Sequence, residues 1–244
     1  MDKPSRRLDA ALVKLGLYSG RGQAAEAIRK GRVSVDGAVV LKPSFSVNET
    51  AVIEAAPQEY VGRGGHKLAA ALDAFDIDVS GLTALDIGAS TGGFTQCLLL
   101  RGAAKVYAVD VGRDQLHPSL KADPRVISME GTDIRACRTG TEFPAVDIIT
   151  ADLSFIPLAQ VIPHIAGFLK DAGRAVCLVK PQYQAGREHV GKGGVVRNPA
   201  AHGLALERVR DAAARCGLRE LGAMPSPVVG GDGNKEFLLY LTKG

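Results

Sequence analysis

The stretch Leu85-Asp86-Ile87-Gly88-Ala89-Ser90-Thr91-Gly92-Gly93-Phe94-Thr95 holds the residues of this chain best spaced for ligand chemistry. An apolar run ending in a glycine-rich turn lets a ligand approach the backbone closely. A triphosphate-binding loop needs a lysine directly after its last glycine, and Gly93 is followed by Phe94. A dinucleotide turn needs G-x-G-x-x-G, but Ala89 and Ser90 follow Gly88, so the second glycine is missing. What remains is Asp86-x-Gly88-x-x-x-Gly92-Gly93, an acid before a turn that has no phosphate grip. Asp110 closes the next apolar run, where a carboxylate can accept from both hydroxyls of a ribose. Asp133, in Gly131-Thr132-Asp133-Ile134, follows the third run and can accept from an adenine amino group. Acids at these three places repel a pyrophosphate and favour an adenosine carrying a positive centre, as S-adenosylmethionine does.

The acceptor of a methyl group is then the question. Enzymes that methylate a base amino group carry an Asn/Asp-Pro-Pro-Tyr/Phe segment after the fourth strand, whereas this chain reads Ala151-Asp152-Leu153-Ser154-Phe155. Carbon methylation of a pyrimidine needs a nucleophilic cysteine, and none of Cys97, Cys137, Cys177 and Cys216 sits at a strand end beside a proline. Asp152 instead ends the fourth strand, and Lys180 ends the fifth in Leu178-Val179-Lys180-Pro181-Gln182. Strand C-termini of a parallel sheet converge on one rim, which brings this acid and this base together. Lys67 at the start of an expected helix and Glu236 at the opening of the last strand complete a constellation. Each of the four alone reads as an ordinary surface or strand-end residue. His66 is given no catalytic role.

These residues need a scaffold. From about Thr83 onward apolar strands alternate with helical patterns. The strands are 84–87, 106–110, 126–129, 146–151 and 175–180, and the helices are 93–101, 156–168 and 200–216. Such alternation implies an α/β fold with a doubly wound, mostly parallel sheet and ligands beyond the strand C-termini. Two closing strands, 219–223 and 236–242, join through a Gly-Gly-Asp-Gly turn and supply an antiparallel edge. Residues 1–57 differ in pattern, with short helices over 8–15 and 22–30, an Asp36-Gly37 hairpin within 33–40, and a strand over 50–55. A linker at 58–62 then leads to the sheet domain, 63–244.

The motifs GRGGHKL, DIGASTGGFT, ADLSF, LVKPQ and GNKEF resemble, in order, those of the TlyA family of ribosomal RNA 2′-O-methyltransferases. That family joins an alpha-L RNA-binding domain of S4 type to an FtsJ-like, Rossmann-like methyltransferase domain. RLDAALVKLG and AIRKGRVSVDG resemble the alpha-L module. Gly20 stands where the family usually has serine, which leaves Ser19 as the candidate helix cap. The resemblance implies a Lys-Asp-Lys-Glu tetrad on Lys67, Asp152, Lys180 and Glu236. Lys180 would be the base and Asp152 its orienter, with Lys67 and Glu236 as positioning groups. It implies S-adenosylmethionine contacts at Asp86, Gly88, Ala89, Ser90, Thr91, Gly92, Gly93 and Phe94, at Asp110 and Val111, at Asp133 and Ile134, and at Asp152. The implied substrate is cytidine in ribosomal RNA. The end of the chain just after the last strand resembles shorter family members, which points to the assembled large subunit.

Charge agrees with an RNA partner. The net charge is +4, but over residues 1–32 eight bases (Lys3, Arg6, Arg7, Lys14, Arg21, Arg29, Lys30 and Arg32) face only Asp2, Asp9 and Glu26. Of these Arg6, Arg7, Arg21, Arg29, Lys30 and Arg32 are the expected RNA contacts, joined by Arg63 and by Arg187, Lys192 and Arg197 on a glycine-rich loop. That loop reads either as a lid on RNA or as an ordinary mobile loop. Phe155 reads either as a base-stacking ring or as core. Scattered cysteines without C-x-x-C pairing argue against a zinc or disulfide framework and fit buried thiols in the cytoplasm. No metal is expected. A binding-only ribosome-assembly factor is the alternative to an enzyme. A membrane-active haemolysin lacks the signal peptide, apolar span or amphipathic membrane helix it would need.

Overall fold

The computed structural model describes residues 5–18, 20–56 and 59–244. The expected Ser19 cap, Lys3 and the break at Pro57 therefore lie outside the described residues. The chain divides into two compact units, Met1–Glu59 and Tyr60–Gly244.

The first unit runs β1 (Arg6–Arg7), α1 (Leu8–Lys14), α2 (Arg21–Arg29), β2 (Val33–Val35), β3 (Ala38–Val39), β4 (Ser46–Val47) and β5 (Ile53–Ala55). Leu8 and Leu12 on α1, and Ala24 and Ile28 on α2, recur one turn apart and are buried against Val33, Val35 and Val47. Asp36 and Gly37 both have positive φ, +51° and +80°, the two-residue hairpin geometry that Asp-Gly favours. β5 pairs with β2, giving the order β3-β2-β5, and β1 pairs with β4. The β1–β4 pair is not legible in the sequence, because two-residue strands carry no periodicity.

The second unit runs α3 (Gly64–Ala74), β6 (Thr83–Ile87), α4 (Gly93–Leu100), β7 (Lys105–Asp110), α5 (Pro118–Lys121), β8 (Val126–Glu130), β9 (Val146–Ala151), α6 (Leu158–Phe168), β10 (Leu169–Val179), α7 (Pro181–Gln184), α8 (Pro199–Arg215), β11 (Leu218–Pro225) and β12 (Phe237–Lys243). Seven strands form one sheet in the order β11-β12-β10-β9-β6-β7-β8. β8, β7, β6, β9 and β10 are parallel, and β12 enters antiparallel between β10 and β11. The chain winds outward from β6 to β8 and then returns to the other side of β6 as β9. The β6–β9 pair is thus the switch point, where a parallel sheet opens a crevice beyond its strand C-termini. On one face α6 and α8 bury Ile162 and Val209 against Leu85 and Ile149, and on the other α3 and α4 bury Leu68 and Leu98 against Val106 and Ile148. A wholly buried leucine of this kind contributes roughly 1.5–3 kcal/mol.

Several boundaries differ from expectation, and the largest shifts have a physical reason. β10 begins at Leu169 rather than Ala175, since Leu169 pairs with Val146 before a register shift ahead of Arg174. The polar Lys170–Arg174 stretch hides that start. The second unit begins at Tyr60 rather than Arg63, because Tyr60 is buried and Val61 donates its N–H to Gln96 Oε1 at 2.6 Å. Among the described residues no helix is long and apolar enough to cross a membrane.

Candidate active site

The cofactor turn is built by close backbone approach. Gly88 has φ +82°, and a Cβ there would lie 2.5 Å from the Asp152 carbonyl oxygen. That space is taken because Asp152 donates its N–H to Ile87 O at 3.0 Å, which laces the loop after β9 to the end of β6. Only glycine meets both demands. Gly93, opening α4, meets the demand of close approach alone, since its Cβ would lie 2.9 Å from Gly65 N and 3.1 Å from Gly62 O. The GRGG segment therefore lies backbone to backbone on the turn, which fixes the start of α3. Helical spacing then sets Lys67 one turn before Ala71 on the buried stripe of α3, and Lys67 is itself 5% exposed.

Beyond the C-termini of β6 to β9 lies a cavity of about 440 Å³. Of the expected cofactor residues, Gly88, Ser90, Asp110, Val111, Asp133, Ile134 and Asp152 line it. Asp110 accepts from Ser90 N at 2.8 Å and from Gly112 N at 2.7 Å, so each carboxylate oxygen holds one loop of the rim. Asp133 caps the 3-10 turn at Ile134–Ala136, and its carboxylate is paired with Arg135 at 2.6 Å. The Arg135 guanidinium holds the Asp133 carboxyl below its ordinary range.

Asp86 does not face this cavity. It is wholly buried and accepts from Thr95 Oγ1 at 2.7 Å and from Thr150 Oγ1 at 2.9 Å. Burial pushes its carboxyl up to about 6, against the pull of both hydroxyls and with the Asp152 charge adding to the rise. Asp86 thus supports the turn from beneath, tying β6 to α4 and β9. Ala89, Thr91, Gly92, Gly93 and Phe94 also lie off the cavity lining. Ala89 and Phe94 are buried in the core, Gly92 caps α4, and the Thr91 carbonyl accepts from His117 N at 3.2 Å. They shape the turn from behind the cavity rather than lining it.

The tetrad residues form two ion pairs. Lys67 Nζ meets Glu236 Oε2 at 2.6 Å, with both side chains almost fully buried. Lys180 Nζ stands 2.7 Å from Asp152 Oδ1 and donates to Ser154 Oγ at 2.8 Å. The contact with Oδ1 is an ion pair by distance but is poorly directed as a hydrogen bond. That oxygen therefore stays buried without a hydrogen-bond donor. Lys180 follows the end of β10, and Glu236 precedes β12 rather than opening it. Val179 pairs with Phe237, so the next step of the antiparallel register sets Lys180 opposite Glu236. Gly64 brings α3 to the same rim, where a Cβ on it would lie 3.8 Å from Asp152 Oδ2.

The expected basic contacts fall into two groups. In the first unit Arg6, Arg7, Arg21, Arg29, Lys30 and Arg32 are exposed. Arg7 and Arg21 both grip buried Asp9, at 2.9 Å and 3.2 Å, and Lys30 pairs with Glu26. The two guanidinium groups hold the Asp9 carboxyl down to about 2. In the second unit Arg63 comes within 3.1 Å of where a Cβ on Gly231 would sit. Arg187, Lys192 and Arg197 are exposed on a loop that Asn234 pins, accepting from Val196 N and donating to Gly194 O, both at 2.9 Å.

Phe155 is not a core residue. It is 91% exposed at the cavity edge with φ +67°, 5.7 Å from the Tyr183 ring. Ser154 and Arg135 were missed in the sequence, because a serine and an arginine beside more telling acids carry no spacing signal. Cys97 and Cys177 are buried, and burial pushes both thiols up to about 12, which removes them as nucleophiles.

A parallel sheet with a switch-point crevice, a glycine turn without a phosphate grip and acids at successive strand ends defines a Rossmann-like methyltransferase. The cavity suits S-adenosylmethionine. Arg135 is the basic residue among those lining it and is already paired, while Asp110, Asp133 and Asp152 give the lining an acidic balance that tolerates a sulfonium. Comparison with known proteins agrees. Residues 60–243 match the FtsJ-like methyltransferase model, and residues 6–53 match the S4 domain. The chain is 44% identical to the 16S/23S rRNA (cytidine-2′-O)-methyltransferase TlyA of Mycobacterium tuberculosis, over 96% of this chain and 89% of that one. It is 36% identical to the 23S rRNA (cytidine-2′-O)-methyltransferase TlyA of Campylobacter jejuni, over 75% of this chain and 71% of that one. A solved structure from Streptococcus thermophilus, described as a candidate hemolysin, is 40% identical with a TM-score of 0.78, covering 99% of this chain and 90% of that one. The chain belongs to the FtsJ-like methyltransferase family, in its TlyA branch with an N-terminal S4 domain, and S-adenosylmethionine is its methyl donor.

Proposed function

We propose that this enzyme methylates the 2′-hydroxyl of a cytidine in ribosomal RNA, with the assembled large subunit as its target. The observation that carries the reading is the Lys180–Asp152 pair at the cavity rim, with the Lys67–Glu236 pair on the same rim. Both TlyA relatives are named for cytidine-2′-O methylation, and 23S rRNA is the target their names share. Ribosomal RNA as substrate places the enzyme in the cytoplasm.

A ribose hydroxyl becomes a competent nucleophile only as its proton leaves. Lys180 Nζ takes that proton as the 2′ oxygen bonds to the methyl carbon. S-adenosylmethionine supplies that carbon already activated, its carbon–sulfur bond breaking with the electron pair to sulfur. Asp152 fixes the amine and balances the ammonium that forms. The Lys67 ammonium, clamped by Glu236, adds fixed positive charge where the oxygen becomes electron-rich. Since the methyl is pre-activated, most acceleration comes from in-line alignment. Phe155 offers a flat apolar face for a base turned out of its stack. Arg6, Arg29, Arg32, Arg187, Lys192 and Arg197 supply phosphate contacts that set register.

The test is transfer of labelled methyl to unmethylated large subunits, small subunits and naked rRNA, beside Lys180→Ala. Label recovered as 2′-O-methylcytidine on large-subunit RNA, and abolished by Lys180→Ala, is the expected result. Label on small subunits alone refutes the target. No label on any RNA, with S-adenosylmethionine still bound, refutes the reaction.

A further inference from the structure

The Lys180 amine is held at two points, and only one of them is an acid of the tetrad. Nζ lies 2.7 Å from Asp152 Oδ1 and 2.8 Å from Ser154 Oγ, to which it donates. Ser154 is exposed and lines the cofactor cavity, so its hydroxyl is not serving a core. We infer that Ser154 is a positioning residue for the reaction, whose hydroxyl sets the axis of the Lys180 amine by hydrogen bond while the Asp152 charge biases its rotation, so that the lone pair is aimed at the incoming hydroxyl. The inference rests on the reading of Lys180 as the base.

A lysine able to accept a proton is a neutral amine with two N–H bonds and one lone pair. One acceptor leaves the amine free to turn about a single N–H···O axis, and the lone pair sweeps a cone. Ser154 supplies that axis, and the Asp152 Oδ1 charge, 2.7 Å from Nζ, biases the rotation about it and narrows the cone. The side chain is held as well, since Lys180 is only 11% exposed. Asp152 and Ser154 are suited to act as a pair because one short segment carries both. It is anchored at one end by the Asp152 N–H on Ile87 O at 3.0 Å, and at the other it takes the left-handed backbone of Phe155, φ +67°. That conformation is costly for an aromatic residue and persists where the surroundings impose it. After transfer, one ammonium N–H already has Ser154 as its acceptor and the Asp152 charge already faces the cation, so little reorganisation is needed at the moment of reaction.

The experiment compares Ser154→Ala, Ser154→Thr and Lys180→Ala in the full chain. Methyl transfer is measured at saturating RNA and S-adenosylmethionine, with cofactor affinity measured by calorimetry. Ser154→Ala is expected to lower kcat roughly 10- to 100-fold, the scale of a misaimed reacting group. KM for RNA and Kd for S-adenosylmethionine are expected to stay unchanged. Ser154→Thr keeps the hydroxyl and is expected to restore most of kcat, which a bare packing role would not do. Wild-type kcat in Ser154→Ala overturns the inference. So does a loss confined to KM or to cofactor affinity, or a failure of threonine to rescue a folded, cofactor-binding enzyme. Lys180→Ala separates the two readings. Activity kept there removes the base itself, whereas activity lost there and kept in Ser154→Ala removes only the role of Ser154.

Discussion

Replacing Asp86 by asparagine should change the pH dependence of stability in a way that can be worked out in advance. The carboxyl is wholly buried, and its pKa is raised to about 6 from 3.8, because desolvation outweighs the two threonine hydroxyls. The folded protein therefore holds a proton on Asp86 between about pH 4 and 6 where the unfolded chain has released it. Folding stability from this group is fully present below the unfolded value and is lost as pH rises through the folded one. A shift of about two units corresponds to roughly 3 kcal/mol of cost at pH 7 and above. Asparagine has the same shape and never ionises. Its amide oxygen can accept from one hydroxyl, and its NH₂ can donate to the other, since a threonine oxygen both gives and takes. Urea unfolding of both proteins at several pH values between 4 and 8 isolates the term, because all other titrating groups cancel in the difference. The stability of Asp86→Asn relative to wild type should rise by up to about 3 kcal/mol across that window, a melting shift of roughly 2–4 °C per kcal/mol for a domain of this size. A difference that stays flat from pH 4 to 8 refutes the argument. Asp86 would then not be titrating in the folded state.

Gly88→Ala forces a side chain into the left-handed region and onto the Asp152 carbonyl, so the loop carrying Asp152 must move. Methyl transfer should fall about 100-fold or more, read as initial rate, with a lower melting temperature. Lys67→Met leaves buried Glu236 without its partner and should destabilise the fold by about 3–5 kcal/mol in urea unfolding. Lys67→Met with Glu236→Leu should regain most of that stability and none of the activity. Arg29→Ala in the first unit should weaken RNA binding about equally for all sequences and reduce the salt dependence of log K by about one contact. Titrations at several salt concentrations check this.

The alternation of strands and helices, the Asp36-Gly37 hairpin and the glycine turn were all legible in the sequence. Each is a local property, carried by hydropathy period or by residues with a special backbone conformation. The same locality put Asp110 and Asp133 in view, since one closes an apolar strand and the other stands just past the next, and both line the cavity. Asp86, expected as a cofactor contact, lies buried off the cavity lining, and its place was hidden for the opposite reason. It lies inside a strand buried on both faces, between Leu85 and Ile87, and its two hydroxyl partners come from α4 and β9. Which lysine meets which acid was also beyond the sequence. Lys67 and Glu236 are 169 residues apart, and their pairing depends on β12 entering antiparallel beside β10 in one register. A shift of one residue would turn Glu236 to the other face of the sheet. Ser154 and Phe155 gained their places from the fold as well, through a loop held by Ile87 and a left-handed residue that no periodicity announces. Local chemistry writes the elements and the candidate groups into the chain. Register and the sidedness of strands, which depend on contacts between distant segments, decide which of those groups meet.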